Sequence, residues 1–404
     1  MTHAEETAPS QGAPRAVFFS AHFFPSKRRA GFQHLATAFA ELGWDVLFVT
    51  TGISWLSYAV RDARLQQGAR GQALGIVPVA PSIWSHVWFT PWHPVNLRSD
   101  LLNTWTTPVF GRYGGLPRSR DVRTWIEGAS LIVIESSPVL MSFGALQRAY
   151  PEARTVYRVS DDLRFLRPHP VVLKAEERVA SRFDLVSSPT SQIHARFAQL
   201  PTARLQPHGI RKDLFQGSHP NPYAGNGYEA NVVFVGASYL DQDFVGRAAR
   251  MFPHVGFHLI GPLPRRLGIG NVVYYGEVAF EETIPYLQHA SVGLQALVWT
   301  PAAESLIDSL KMHQYAYLGL PVVAPEFLRS GRVNVRYYHP GDDASIRAAM
   351  AVALASERDP SVGRDVLSWR ELAEELIGYS GVDLDRSTDG ARRSFASSVN
   401  EAER

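Results

Sequence analysis

Two adjacent carboxylates, Asp161 and Asp162, stand in the stretch YRVSDDL, directly after a run (154–159) that is typical of a buried strand. Aspartate is common at turns and helix starts, so one interpretation is a turn with a helix N-cap. In open α/β sheets, however, ligands bind at the carboxyl ends of the strands, where a partly desolvated carboxylate can act as a general base. We predict that Asp161 is this base and that Asp162 caps or hydrogen-bonds locally. His22, which also follows a predicted strand, is a rival base.

A second group of candidate residues lies in the stretch 304–325, ESLIDSLKMHQYAYLGLPVVAP, which is typical of a helix followed by a strand. A helix N-terminus favours negative charge because its free amides and its dipole are positive. Ser305 stands near the start of the stretch, and Lys311 and Gln314, three residues apart, share one helix face. These residues predict a diphosphate site. The alternative is a routine crossover helix with a solvated lysine.

Two turns in the same half of the chain add further candidates. In FVGAS (234–238), Gly236 and Ser238 belong to a turn through which the backbone can approach a phosphate. In YYGEV, Glu277 follows a strand and can accept hydrogen bonds from ribose hydroxyls, or it is a surface loop carboxylate. Neither strand–helix start has a complete G-x-G-x-x-G motif, so the sequence gives little support to NAD binding.

These residues need parallel sheets to position them, and the hydrophobic pattern predicts two. Strands and helices alternate along the chain, and the continuous Val, Ile and Phe runs are typical of parallel strands buried on both faces. The pattern predicts the α/β class, with two Rossmann-like doubly wound domains that face a central cleft. The predicted strands are 16–20, 45–50, 130–136, 155–160 and 184–189, then 231–238, 257–262, 271–277, 291–297 and 320–325. The predicted helices include 30–42, 140–149, 170–182 and 367–378.

The length of 404 residues favours two domains over one. We predict a first domain over 16–210 and a second over 231–380. The segment 211–230, rich in Gly, Pro and Asn, is the predicted linker. The ends, 1–15 and 381–404, are polar, and we expect them to be disordered.

The amino-acid composition excludes several classes of protein and site. The chain has 45% hydrophobic and 19% charged residues, which suits a soluble globular protein. It has no cysteine, which excludes disulfides, thiolate metal sites and cysteine nucleophiles. Asp161 and Asp162 are adjacent rather than spaced by one, and we expect no metal. No apolar run approaches the roughly 20 residues that span a bilayer, and the start of the sequence lacks an apolar signal core, so we expect a cytoplasmic location.

The charge is uneven: residues 1–200 carry 21 Lys and Arg against 15 Asp and Glu, which suggests an anionic partner for this half. No zinc-finger spacing or basic heptad region points to nucleic acid. The stretch SIWSHVWFTPWHPVNLRSDLLNTW, which ends at Trp105, contains four of the nine tryptophans beside an arginine, a composition found at membrane interfaces. The alternative is that these tryptophans fill the core. We predict that an anionic membrane surface is contacted by Lys27, Arg28, Arg29, Trp84, Trp88 and Trp92.

In combination, several motifs resemble those of the membrane-associated glucuronosyltransferases of xanthan-type exopolysaccharide assembly, glycosyltransferase family 70. They are SAHFFPSKRRAGFQHL, WHPVNLRS, YRVSDDL, VGASYLDQDF, YYGEV, HASVGL and DSLKMHQYAYLGLPVV, in order over roughly 16–375. The resemblance implies the GT-B architecture. It also implies inverting transfer of glucuronic acid from UDP-glucuronate to a lipid-diphosphate-linked oligosaccharide, at the cytoplasmic membrane face, by a peripheral or monotopic protein.

Residue by residue, the resemblance places the family's proposed general base on Asp161. It places the Lys and Gln of the donor helix on Lys311 and Gln314, and the carboxylate of the Y-G-E motif on Glu277. A nucleotide contact falls near Ser238, where the family relative has an apolar side chain. The loop QALVWTPAAES also departs from the family, because it is one residue shorter and lacks the proline and tyrosine of the relative. The UDP-sugar is expected as a substrate, with no cofactor.

Two other functions remain open at this point. A UDP-sugar epimerase of similar architecture would need further carboxylates and a histidine, and would convert a UDP-sugar without an acceptor. A non-catalytic nucleotide-sugar-binding subunit would bind UDP without turnover, and Asp161→Asn would have no consequence.

Overall fold

The computed structural model of the chain describes residues 10, 12–26, 29–69, 71–73, 75–236, 239–263, 267–301 and 303–383. These residues form two compact units. One contains the described residues up to Gln206 together with those from Trp369 onward, and the other is Pro207–Ser368.

The first unit is built on an eight-stranded sheet with the order β3-β4-β2-β1-β5-β6-β7-β8. All neighbouring strands are parallel except β3 and β4, which are antiparallel. The strands are β1 (Arg15–Ser20), β2 (Asp45–Ser54), β3 (Val77–Ala80), β4 (Ile83–Thr90), β5 (Leu131–Glu135), β6 (Arg154–Arg158), β7 (Leu185–Ser188) and β8 (Ala203–Leu205). The central strands are apolar and buried along nearly their whole length, as expected for a sheet covered on both faces.

Helices connect these strands and cover the sheet. They are α1 (Gly31–Glu41), α2 (Trp55–Ala59), α3 (Asp100–Phe110), α4 (Arg120–Glu127), α5 (Phe143–Ala149), α6 (Leu163–Leu166), α7 (Pro170–Val179) and α8 (Ser191–Ala195). Because β1, β5 and β6 are neighbours and parallel, the loops that follow them meet at one edge of the sheet.

The second unit has a six-stranded parallel sheet with the order β11-β10-β9-β12-β13-β14. Its strands are β9 (Ala230–Val235), β10 (Val255–Ile260), β11 (Val272–Gly276), β12 (Val292–Leu294), β13 (Val322–Pro325) and β14 (Val335–Tyr338). Its helices are α9 (Lys212–Gln216), α10 (Gln242–Met251), α11 (Phe280–His289), α12 (Leu310–Tyr317) and α13 (Asp343–Ala355). The predicted α/β class with two doubly wound sheets is therefore correct.

The last helix, α14 (Trp369–Ser380), belongs to the first unit. It packs on α1, where Trp369 stacks on His34 with ring centroids 5.7 Å apart. Gln206 Nε2 donates a 3.1 Å hydrogen bond to Glu375 Oε2. The predicted second-domain boundary at residue 380 is therefore wrong, because the apolar face of this helix is buried against the first sheet.

The predicted linker over 211–230 is also wrong in part. This segment contains α9, and both Phe215 and Tyr223 are buried in the core of the second unit. The Tyr223 hydroxyl donates to the carbonyl oxygen of Tyr286 at 2.9 Å. Gly and Pro residues of this segment form tight turns in a packed part of the second unit, and the segment is not a flexible linker.

Candidate active site

Three polar residues stand at the carboxyl ends of neighbouring strands in the first unit. His22 follows β1, Glu135 ends β5, and Asp161 follows β6. The electrostatic interactions of His22 reach both carboxylates. The structure therefore brings the predicted base and its rival together, and adds a glutamate that sequence reasoning missed.

Asp161 is exposed, and among the described residues no hydrogen bond or ion pair holds its carboxylate. Although water reaches it, enough protein surrounds the carboxylate that burial raises its pKa above the ordinary 3.8, and the positive charge of His22 opposes this rise. An unpartnered carboxylate with a raised pKa has the character of a general base.

Asp162 has a different role, as predicted. Its side chain caps α6 by accepting a 3.0 Å hydrogen bond from the Arg164 amide. It also forms ion pairs with Arg164 and Arg196, with N···O distances of 2.6 and 2.9 Å. Burial acts to raise the pKa of Asp162, but these hydrogen bonds and charges lower it below its usual range. A carboxylate held by this many partners stabilises the fold and is not free to take a proton.

Glu135 is buried, with 4% of its surface exposed. Its Oε2 accepts a hydrogen bond from the Ser20 hydroxyl, and its Oε1 lies 3.9 Å from His22 Nε2. Burial raises its pKa, and the His22 charge and the Ser20 hydrogen bond oppose that shift. The signal for this residue was visible in the sequence, because a carboxylate ends the otherwise apolar predicted strand SLIVIES.

In the second unit, the predicted donor helix is α12, and Lys311 lies in its first turn. Lys311 Nζ is 4.1 Å from the ring centroid of Phe234, a cation–π contact. No carboxylate among the described residues pairs with it. Although part of the side chain is accessible to solvent, burial of the ammonium group lowers its pKa to about 7.

A glycine brings the backbone close to the Lys311 ammonium group. Gly236 directly follows β9, and a Cβ there would lie 3.5 Å from Lys311 Nζ and 3.0 Å from the Phe234 ring. Gln314 is buried on α12, three residues beyond Lys311. The amide end of α12, a cation without a carboxylate partner and a glycine turn are features of an anion site.

For the remaining predicted donor-binding residues, the structure shows a position or none, but no contact that indicates a role. Glu277 is exposed and directly follows β11, two strands from β9 in the sheet. Ser305 lies in a short 3-10 helix, Ala303–Leu306, and its side chain is outside the described part of the chain. Ser238 is also outside the described residues. Their roles stay predictions.

The predicted membrane residues divide into two groups. Trp84 and Trp88, at 6% and 5% exposure, lie in β4 and belong to the core. The Trp84 ring is 4.9 Å from that of Trp125, so the prediction of an interfacial role for these two residues is wrong. The Trp88 ring lies 6.1 Å from that of Phe19 of β1, so the first part of this stretch is a buried strand. Trp92 is 40% exposed.

The basic residues of the predicted membrane surface are only partly described. Arg29 is exposed, with its guanidinium 5.3 Å from the Phe24 ring. Lys27 and Arg28 lie outside the described residues.

Helix α3 exposes a stripe of large apolar side chains. Leu101, Trp105 and Val109, one helical turn apart, are 81%, 78% and 49% exposed. The opposite face is polar and turned inward, since Asn103 is buried and the Thr106 hydroxyl lies 3.2 Å from His169 Nε2. In an ordinary surface helix the apolar face is the buried one.

Within the described ranges, no group of three or more His, Asp or Glu side chains is arranged to hold a metal ion, and metal independence stays a prediction. The spaced pair Asp241 and Asp243 serves α10, because Asp241 caps this helix and Asp243 pairs with Arg247. None of the described helices has the length and apolar character needed to cross a bilayer.

Comparison with known proteins identifies the family of the chain. The profile of the family described as "Glucuronosyltransferase GumK, N-terminal domain" matches residues 18–189. A UDP-glucuronate:glycolipid 2-beta-glucuronosyltransferase from Xanthomonas campestris pv. campestris is 30% identical over 382 residues, or 92% of this chain and 91% of that protein.

Solved structures share the fold at low sequence identity. A sucrose-phosphate synthase from Thermosynechococcus elongatus has a TM-score of 0.55 at 15% identity, covering 96% of this chain and 100% of that one. Anabaena Alr3699/HepE, solved in complex with UDP and glucose, has a TM-score of 0.55 at 14% identity, covering 95% and 100%. These matches confirm the predicted GT-B fold class and the predicted enzyme class, a UDP-sugar-dependent glycosyltransferase. The chain belongs to the GumK family of glucuronosyltransferases.

Proposed function

We propose that this chain transfers glucuronic acid from UDP-glucuronate to a lipid-linked oligosaccharide in exopolysaccharide synthesis, with inversion and with Asp161 as the general base. The donor and the glycolipid acceptor are those for which the 30% identical relative is named. The observation that carries the role of Asp161 is its exposed carboxylate, which lacks a partner among the described residues and has a raised pKa.

The second unit binds the donor diphosphate. Lys311 supplies a positive charge, and the free amides at the start of α12 supply a partial one. Gly236 lets the backbone approach the phosphates, since it has no Cβ beside Lys311. Glu277 accepts hydrogen bonds from the ribose hydroxyls. Donor binding needs no cation in this scheme, because these groups neutralise the developing charge of the leaving UDP.

The chemical step is a single displacement at the anomeric carbon. The Asp161 carboxylate removes the proton of an acceptor hydroxyl as its oxygen attacks that carbon. The new C–O bond forms on the face opposite the bond that breaks, and UDP departs with the electron pair of that bond. The proton ends on Asp161 and the anomeric configuration is inverted.

The test is transfer activity with a panel of radiolabelled UDP-sugars and a membrane lipid extract. UDP-glucuronate should label a lipid product, and Asp161→Asn should retain donor affinity while turnover falls by roughly 10²–10⁴-fold. Near-normal turnover by Asp161→Asn would refute the assigned base. Conversion of UDP-glucuronate without an acceptor would favour the epimerase, and UDP binding without any turnover would favour the non-catalytic subunit.

We propose that α3 holds the protein on the cytoplasmic face of a membrane as a peripheral protein. The outward Leu101, Trp105 and Val109 stripe suits insertion at headgroup depth, where the ring of a tryptophan is favoured. Exposed arginines flank the helix in sequence, with Arg98 before it and Arg112 after it, and cations attract anionic lipid.

Co-sedimentation with liposomes tests this surface. The double change Leu101→Ser and Trp105→Ser should reduce binding to anionic vesicles by about tenfold or more, because each side chain loses its apolar burial. The matched control is Trp299→Ser, which removes an exposed tryptophan from the second unit. Equal loss in both proteins, or no loss in the double variant, would exclude α3 as the docking surface.

A further inference from the structure

Ser20 and Glu135 together fix the position of His22. The Ser20 hydroxyl donates to Glu135 Oε2 and accepts a 2.9 Å hydrogen bond from the His22 backbone amide. The other Glu135 oxygen, Oε1, lies 3.9 Å from His22 Nε2. One buried hydroxyl–carboxylate pair thus contacts both the backbone and the ring of the same histidine.

A buried carboxylate is costly unless its charge is compensated. Glu135 has no ion pair with a lysine or arginine in the described part of the chain, although Arg158 stands beside it in register on β6. Among the described residues, the basic side chain within 4.0 Å of its oxygens is the His22 ring, whose side chain is 46% exposed. An arrangement that only stabilised the sheet would not require an exposed histidine as its partner.

We infer that Glu135 is a positioning residue that, with Ser20, holds the His22 imidazole beside the Asp161 carboxylate. This inference rests on the proposed function, because it assigns Glu135 and His22 to the control of the proposed base. Asp161 stays the group that takes the proton. His22 acts on it through its charge, and Glu135 acts through His22.

The sign of the effect follows from the charges around Asp161. Positive charge on His22 lowers the pKa of Asp161 against the effect of burial, so it keeps the base ionised at lower pH. Among the described residues, Arg158 interacts with Glu135, and Arg64 donates to the Ala21 carbonyl oxygen at 2.6 Å. Each also has partners outside the group: Arg158 donates to Ser187 Oγ and to the Gln206 carbonyl oxygen at 2.7 Å, and Arg64 forms an ion pair with Asp62. Asp162, the adjacent carboxylate, is neutralised by its own arginines.

The experiment is the pH dependence of kcat/KM for a double-mutant cycle in the full chain. His22→Gln should move the acid limb to higher pH, so kcat/KM on that limb falls about 3- to 10-fold while the high-pH plateau changes less than about twofold. Glu135→Gln should lower kcat/KM about 3- to 10-fold with His22 present, and less than about twofold in the His22→Gln background. Glu176→Gln is the matched control, a second buried glutamate of the first unit that bonds Tyr157 and Arg196. Its effect should be the same in both backgrounds.

The results of this cycle distinguish a positioning role of Glu135 from two alternatives. Equal effects of Glu135→Gln in both backgrounds would overturn the positioning role, and loss of activity by His22→Gln at every pH would make His22 itself the base. Carbon NMR titration of the aspartate side chains, with the Asp161 signal assigned by means of Asp161→Asn, measures the pKa of Asp161 in the same set of variants. This measurement does not depend on turnover. A wild-type protein that transfers no sugar would therefore refute the proposed function only, while the titration would still judge Glu135 and His22.

Discussion

The pKa of Lys311 predicts that donor binding depends on pH in a defined direction. Burial lowers that pKa to about 7, so in the free protein the fraction that carries the proton falls from about nine-tenths at pH 6 to about one-tenth at pH 8. If only the protonated form attracts the diphosphate, the apparent affinity falls by the same ratio, about tenfold, over this interval. UDP-glucuronate is the right ligand for this test, because its diphosphate is esterified at both ends and does not titrate in this range.

Calorimetry with the wild type, Lys311→Met and Lys311→Arg separates the titration of Lys311 from other pH effects on donor binding. Wild-type Kd for UDP-glucuronate should rise about tenfold from pH 6 to pH 8. Lys311→Met should lose about 1.5–3 kcal/mol at pH 6, the scale of a charged hydrogen bond, and show no pH trend. Lys311→Arg keeps the charge at all these pH values, so its Kd should be flat. A wild-type Kd independent of pH, or unchanged binding by Lys311→Met, would remove Lys311 from the donor site.

Four further outcomes are expected. Trp84→Ala should lower the free energy of unfolding by about 3–5 kcal/mol in urea titrations, with unchanged liposome binding, because the ring is in the core. Gly236→Ala should weaken donor binding by about 1–3 kcal/mol in the same calorimetry, since its Cβ would lie 3.0 Å from the Phe234 ring. Asp162→Asn should cost about 0.5–2 kcal/mol of stability at pH 7 with little change in turnover, and this loss should vanish as the pH falls through the lowered pKa of Asp162. Trp105→Ser alone should lower the fraction bound to anionic vesicles, most clearly at high salt, where screening leaves the apolar contribution.

The sequence contained enough to predict two parallel sheets and to select candidate site residues, although the strands β3, β4, β8 and β14 were not predicted. Asp161 was selected as a candidate because a predicted buried strand ended in two carboxylates, a local pattern that needs no knowledge of the fold. Lys311 and Gln314 were selected in the same way, from their spacing on one helix.

A local pattern marks Glu135 as a carboxylate at a strand end, but neither its neighbours in the sheet nor the burial of the two tryptophans could be predicted from local patterns. The importance of Glu135 depends on strand order, because β5 lies between β1 and β6 only after the chain has crossed over. Trp84 and Trp88 looked interfacial because tryptophan suits a membrane surface and a core equally well. Their burial depends on residues distant in sequence, since Trp84 packs on Trp125 of α4 and Trp88 on Phe19 of β1.

The return of α14 to the first unit has a consequence for folding during synthesis. About 160 residues of the second unit are made between Gln206 and Trp369. At typical rates of 5–20 residues per second, the first sheet waits roughly 10–30 s for its last helix. During that time the surface of α1 that later receives Trp369 is uncovered. We therefore expect ribosome-bound chains that end before residue 369 to bind general chaperones, and the full-length chain to release them.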